Sequence, residues 1–198
     1  MEEGKIVWEN NSTQEDPIEY ESDGGWLTVK DHLGYKYSER LGIDSVAFVL
    51  FDRNTNGTKR IGLIKEIKPS INRMMISAFG GSIDKEIYKQ DLRLLVQEEV
   101  KEESGFDVTL DDIKYYGKVL VSSQMNQFCY LFGVSVNKEE QGEKTTTNPA
   151  ELNAEVLWFE LPEIPNLEDW KAITIVAKRL VSSEAKITVR PINTEEQK

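Results

Sequence analysis

Glu99, Glu102 and Glu103 stand at i, i+3 and i+4 in "LRLLVQEEVKEESGF", residues 92 to 106, the spacing that stacks side chains on one side of a helical turn. Three like charges there repel. They also fall in the last turn before Gly105, at the negative end of the helix macrodipole, where each acid costs a few tenths to ~1 kcal/mol. On a wheel of 100° per residue, Leu92, Leu95, Val96 and Val100 form an apolar stripe, with Glu99 at roughly −20°, Glu103 at roughly +20° and Glu102 near −80° at its edge. A solvated acidic helix face is the ordinary explanation of such a run. It accounts poorly for Glu99 and Glu103, which share the stripe while Lys101 points to the opposite side. A hard divalent cation answers the conflict, since magnesium or manganese takes carboxylate oxygens and is shared with substrate phosphates.

The elements that must position these acids can be read around them. "RMMISAFGGSI" reads as a strand running into Gly80 and Gly81, a pair that either lets backbone amides approach a phosphate or makes a tight turn needing positive φ. Gly105 occupies the position a helix C-cap prefers. Upstream, residues 45 to 51 and "KRIGLIKEI" flank Asn56-Gly57 as a β-hairpin. Downstream, "YYGKVLVSS" and "NQFCYLFGVSV" are strands, the second with Phe128, Tyr130, Phe132, Val134 and Val136 on one face. Residues 137 to 154 show no apolar periodicity and read as a mobile loop. "EVLWFEL" is a further strand. A last helix is expected from about Asn166 to Ser183, capped by Asn166 or Asp169, with Trp170, Ile173, Ala177, Leu180 and Val181 on one face. The first forty residues offer short strands or irregular pieces. There is no internal repeat, and the class is α+β.

Composition bounds the chemistry. At 198 residues and 39% hydrophobic, the chain can bury a core as one domain. Its 24 basic and 35 acidic residues leave a net charge of −11, which argues against an extended nucleic-acid footprint. One histidine, His32, and one cysteine, Cys129, cannot build a multi-ligand zinc site. Cys129 lies in "FCYLFGV" and reads as a buried thiol with no chemical role. No run reaches the ~18 apolar residues of a membrane helix, and the acidic start "MEEGKIVWEN" lacks the apolar core of a signal peptide. The expectation is a cytoplasmic protein with no membrane partner.

The glycine pair, the helix and "EEVKEESGF" resemble the Nudix box, G-x5-E-x7-R-E-U-x-E-E-x-G-U with U apolar. Glu99 matches the glutamate of the R-E pair, Val100 the U, Glu102 and Glu103 the E-E, Gly105 the glycine and Phe106 the final U. Glu98 stands where the pattern has arginine, and 17 positions separate it from Gly81 where 14 are required. The first glutamate of the pattern falls on Ile87 or Gln90. The resemblance covers residues 45 to 181. It implies a Nudix-like α/β/α sandwich with a mixed β-sheet over 41–185, an N-terminal extension over 1–40 whose strands contribute to a homodimer, and a tail over 186–198. It implies hydrolysis of a nucleoside diphosphate linked to another group, of the ADP-ribose or nucleotide-sugar type, with Mg2+ or Mn2+ held by Glu99, Glu102 and Glu103. Glu151 and Glu155 are candidates for the general base, as against ordinary surface acids; Gly80, Gly81, Arg73 and Lys65 are candidates for binding a small nucleotide. The alternative is a catalytically silent Nudix-like module that binds a nucleotide or a protein.

Overall fold

The computed structural model describes residues 4–8, 16–40, 44–53, 60–146, 153–161 and 167–184. Among the described residues ten strands form one mixed sheet, and the order along its main path is β1 (Ile18–Glu21), β2 (Leu27–His32), β3 (Tyr35–Arg40), β9 (Met125–Val136), β4 (Ser45–Asp52), β5 (Arg60–Lys68) and β10 (Glu155–Glu160). Strands β1 (Ile18–Glu21), β2 (Leu27–His32) and β3 (Tyr35–Arg40) make an antiparallel meander out of the N-terminal extension. The meander joins the rest through a single parallel register point, Ser38 opposite Met125. At the centre β4 (Ser45–Asp52) runs parallel to β9 (Met125–Val136), and β9 also pairs with β8 (Ile113–Ser122). The hairpin partner of β4 is β5 (Arg60–Lys68), as expected; the Asn56-Gly57 turn lies outside the described residues. β10 (Glu155–Glu160) covers the far side of β5.

"RMMISAFGGSI" departs from expectation. It forms two strands, β6 (Arg73–Ser77) on β5 and β7 (Phe79–Ser82) on β4, so the chain changes partner at Ala78. The cause is geometric: β4 and β5 touch only where Leu50 and Phe51 face Gly62 and Ile61, and β6 with β7 fills the wedge where they diverge. Gly80 and Gly81 therefore sit within a strand, and neither has positive φ.

Alternation of side chains divides the core into two layers. On one face α1 (Glu86–Gln90) and α2 (Leu92–Glu99) precede a π-helical turn, Val100–Ser104. Leu92, Leu95, Val96 and Val100 are all buried against Phe48, Ile64, Tyr130, Phe132, Val134 and Val136, as the wheel and the strand pattern require. On the other face α3 (Trp170–Glu184) packs Ala172, Ile175 and Val176 against Val49, Leu63, Cys129 and Leu131. The expected apolar face of α3 is thus corrected. Ile173 and Val181 remain about half exposed and Trp170 is 36% exposed, because the helix is rotated to bring Ala172, Ile175 and Val176 onto the sheet, with Leu180 of the expected face still packed beside them. Cys129 is buried, and burial pushes its thiol pKa up.

The segment read as a mobile loop is docked over its described part, 137–146. Lys138–Glu140 forms a 3-10 turn, the Gln141 amide donates to Ser104 O at 2.9 Å, and Gly142 N–H donates to Gly105 O at 3.1 Å. No helix among the described residues is long and apolar enough to cross a membrane.

Candidate functional site

The helix begins under strong local control. Asp91 is its N-cap, accepting the Arg93 N–H at 3.1 Å and the Arg93 guanidinium at 2.7 Å. It ends under control of a different kind. The π-helical turn widens the last coil by one residue, a feature found mostly at functional sites, and Gly105 closes it at φ 82°. Glycine is required there, since a Cβ would lie 2.3 Å from Gly142 O.

The wider turn carries Glu103 over the edge of β7. It is 6% exposed, and its carboxylate accepts the Gly80 N–H at 3.3 Å. Glu99 lies one turn earlier, against Gly81, where a Cβ would stand 2.0 Å from Glu99 Oε1. At Gly80 a Cβ would meet Val46 O at 2.5 Å. Close approach, with β4 on one side and a carboxylate on the other, is what demands two glycines here.

Glu103, Gly80 and Gly81 line a cleft of about 360 Å³ at the point where β4 and β5 splay. Its other charged walls are Arg40 from β3, Glu66 and Lys68 from β5, and Lys171 from α3; Gln127 and Trp170 complete them. Glu66 is held by Lys68 and by the Ser77 hydroxyl at 3.3 Å. The buried Asp169 ties two of these walls together. It accepts Lys171 N–H at 3.3 Å, as the cap expected of it, and its other oxygen takes Ala78 N–H at 2.8 Å. That amide sits at the change of strand partner, where a buried N–H needs an acceptor from elsewhere.

The expected site residues divide. Glu99 and Glu103 come together with Gly80 and Gly81. Glu102 lines a separate groove with Lys85, Tyr88, Glu98 and Lys101, so the three acids do not converge on one side as the spacing predicts. Among the described residues no three His, Cys, Asp or Glu side chains are gathered closely enough to hold a metal together. The π-helical turn is the reason, because a wheel of uniform pitch no longer holds past Val100. Glu98, in the arginine position, is bonded to Lys85 at 3.0 Å and to the Tyr88 hydroxyl, and those two hydrogen bonds, Tyr88 first, hold its pKa below the usual value. Arg93 serves Asp91 instead of the acids further along.

Lys65 and Glu155 pair with each other at 3.8 Å across β5 and β10. Strand alternation puts Glu155 on the face of Phe159, with the α3 layer, whereas Val156 and Trp158 face α2. Arg73 is exposed and paired with Glu168. None of these three lines the cleft, and Glu151 lies outside the described residues. Arg40, Glu66, Lys68, Gln127 and Lys171 escaped the sequence reading. Only Glu66 and Lys68 carried a local sign, their i, i+2 spacing on one face of β5.

No protein-family model matches the sequence, and no curated protein sequence matches it. Solved structures do. One described as an ADP compounds hydrolase aligns at TM-score 0.60 and 13% identity, over 90% of this chain and 100% of that one. The C-terminal domain of mouse MUTYH, in a complex with human PCNA, aligns at TM-score 0.50 and 12% identity, over 71% and 88%. A MutT/nudix family protein from Enterococcus faecalis aligns at 0.49 and 14%, over 71% and 62%. A curled mixed sheet between two helical layers is the architecture shared with the first of these. The fold of this chain is Nudix-like.

Proposed function

We propose that the cleft between β7, the π-helical turn and α3 hydrolyses a phosphoanhydride in a nucleoside diphosphate linked to another group, ADP-ribose or a nucleotide sugar being the preferred type. One observation carries this reading: a buried carboxylate, Glu103, held at the unfavourable end of its helix in a cleft that also offers Arg40, Lys68 and Lys171. Carboxylates and cations in one cleft answer to two partners, a divalent cation and a phosphate chain.

Hard oxygens from Glu99 and Glu103 fit magnesium or manganese, which keeps several waters and needs only one or two protein carboxylates beside substrate phosphates. Such an ion, when bound, would neutralise the phosphates and lower the pKa of an attacking water. Gly80 N–H fixes the Glu103 carboxylate in direction. Arg40, Lys68 and Lys171 would hold the phosphate chain in place. Glu66 takes the place in the cleft that Glu155 was expected to fill, as a candidate to orient water.

The test is a product screen over ADP-ribose, nucleotide sugars, dinucleoside polyphosphates and nucleoside triphosphates, with magnesium, with manganese and with chelator. Metal-dependent turnover of a nucleoside diphosphate derivative is the expected result, and its absence across the panel sinks the hydrolase reading. Metal binding should also raise the melting temperature through linkage. Glu98, pinned by Lys85 and Tyr88 where the box has arginine, favours the second reading, a silent nucleotide-binding or protein-binding module. That reading predicts nucleotide affinity without turnover, or a protein partner alone.

A further inference from the structure

We infer that Trp170 and Gln127 form a base-recognition subsite, the indole stacking on an aromatic nucleobase and the amide bonding its edge; this rests on the nucleotide reading above. Trp170 is the one aromatic side chain among the described residues lining the cleft. It opens α3 but stays off the core, where Ala172, Ile175 and Val176 are packed instead. Exposed aromatics are common singly. This one, 36% exposed, borders a cleft of charged groups.

Gln127 supplies an independent observation. It is 8% exposed, yet it lines the same cleft, and its side-chain amide makes no hydrogen bond to a described residue. The amide lies at the cleft with its donors and acceptor open to whatever enters it. An amide carries both a donor and an acceptor, which suits a base edge better than a phosphate.

The start of α3 is tied to the strand region before β7. Asp169 is 4% exposed and binds Lys171 N–H, next to Trp170, together with Ala78 N–H, two residues before Gly80. The backbone that carries the ring is therefore held in register with the strand that carries the Glu103 contact. A nucleotide would lay its base on Trp170 and turn its phosphates toward Lys171, Arg40 and Lys68. Stacking on an indole tolerates any base, so Gln127 is the part of the subsite able to discriminate among them.

The experiment titrates full-length protein with ADP and with inorganic pyrophosphate, in magnesium, by calorimetry. Trp170→Ala should weaken ADP by ~10- to 100-fold, the range that loss of one stacked base gives, while pyrophosphate affinity stays within about twofold. Trp170→Phe, which keeps a ring, should recover most of the ADP affinity. Gln127→Ala should weaken ADP and leave pyrophosphate unchanged, and it carries the test if Trp170→Ala fails to fold. Equal losses for both ligands, or no loss for ADP, overturn the inference alone. A change of sedimentation in Trp170→Ala without a change in ADP affinity also overturns it, since the ring then serves an assembly contact. If wild-type protein binds neither ligand, the nucleotide reading falls and takes the subsite with it.

Discussion

Asp91 and Glu103 are buried carboxylates at the two ends of one short helical run, 4% and 6% exposed, and they are treated in opposite ways. Asp91 sits where acids belong. The helix N-terminus presents N–H groups and positive potential, and the Arg93 guanidinium closes over it. Burial pushes its pKa up, but the hydrogen bonds from Arg93 and from the Ile6 N–H outweigh burial and hold it below 3.8. Glu103 sits where acids do not belong, in the final turn, with an irregular coil required to place it. A carboxylate that stabilises its surroundings needs no further explanation. One kept against the local field is where a functional site is to be looked for.

The largest expected effect breaks this contrast at Glu103. Glu103→Gln keeps the shape and removes the charge, so any metal-dependent hydrolysis should fall by ~10² or more, while the melting temperature stays level or rises. A variant that keeps full activity removes Glu103 from the chemistry; one that unfolds makes it structural like Asp91. Gly81→Ala is next. A Cβ placed against the Glu99 carboxylate should lower stability by ~1–3 kcal/mol, as overpacking does, and reduce turnover by displacing Glu99. Urea unfolding together with kinetics on the folded fraction separates the two effects.

Asp91→Ala should act the other way round. Loss of the cap and of the Arg93 bonds should cost about 2 kcal/mol with turnover per folded molecule within about twofold. Its folded pKa is below its ordinary value, so its contribution is complete above about pH 4 and is lost as pH falls through that lower pKa. Chemical unfolding followed from pH 7 to pH 3 should therefore show a steeper acid loss in the wild type than in Asp91→Ala, and parallel curves refute the assignment. The smallest effect is expected at Glu102→Gln. Its side chain lines the groove beside Lys85 and Glu98, so the rate should change by less than about fivefold. A loss matching Glu103→Gln puts Glu102 back among the metal ligands.

Much of this was legible along the chain, because the interactions responsible are local. The 3.6-residue repeat buried Leu92, Leu95, Val96 and Val100, the two-residue repeat of β9 put Tyr130, Phe132 and Val134 on one face, and Gly105 ended the helix with positive φ. Asp169 capped α3 because capping needs only the next three residues. The glutamates stood out because their conflict with the dipole is itself local.

What only tertiary structure decided depends on partners distant in sequence. The change of strand at Ala78 follows from how far β4 and β5 diverge, and its amide is met by an acid 91 residues away. The side on which Glu102 emerges depends on a π-helical turn that a uniform wheel does not contain, with the following chain folded back onto Gly105 through Gly142. The cleft draws Arg40, Lys68, Gln127 and Lys171 from four elements that no periodicity connects. A repeat reports which face of an element is buried; only the packing of the sheet determines which faces of different elements meet around one cavity.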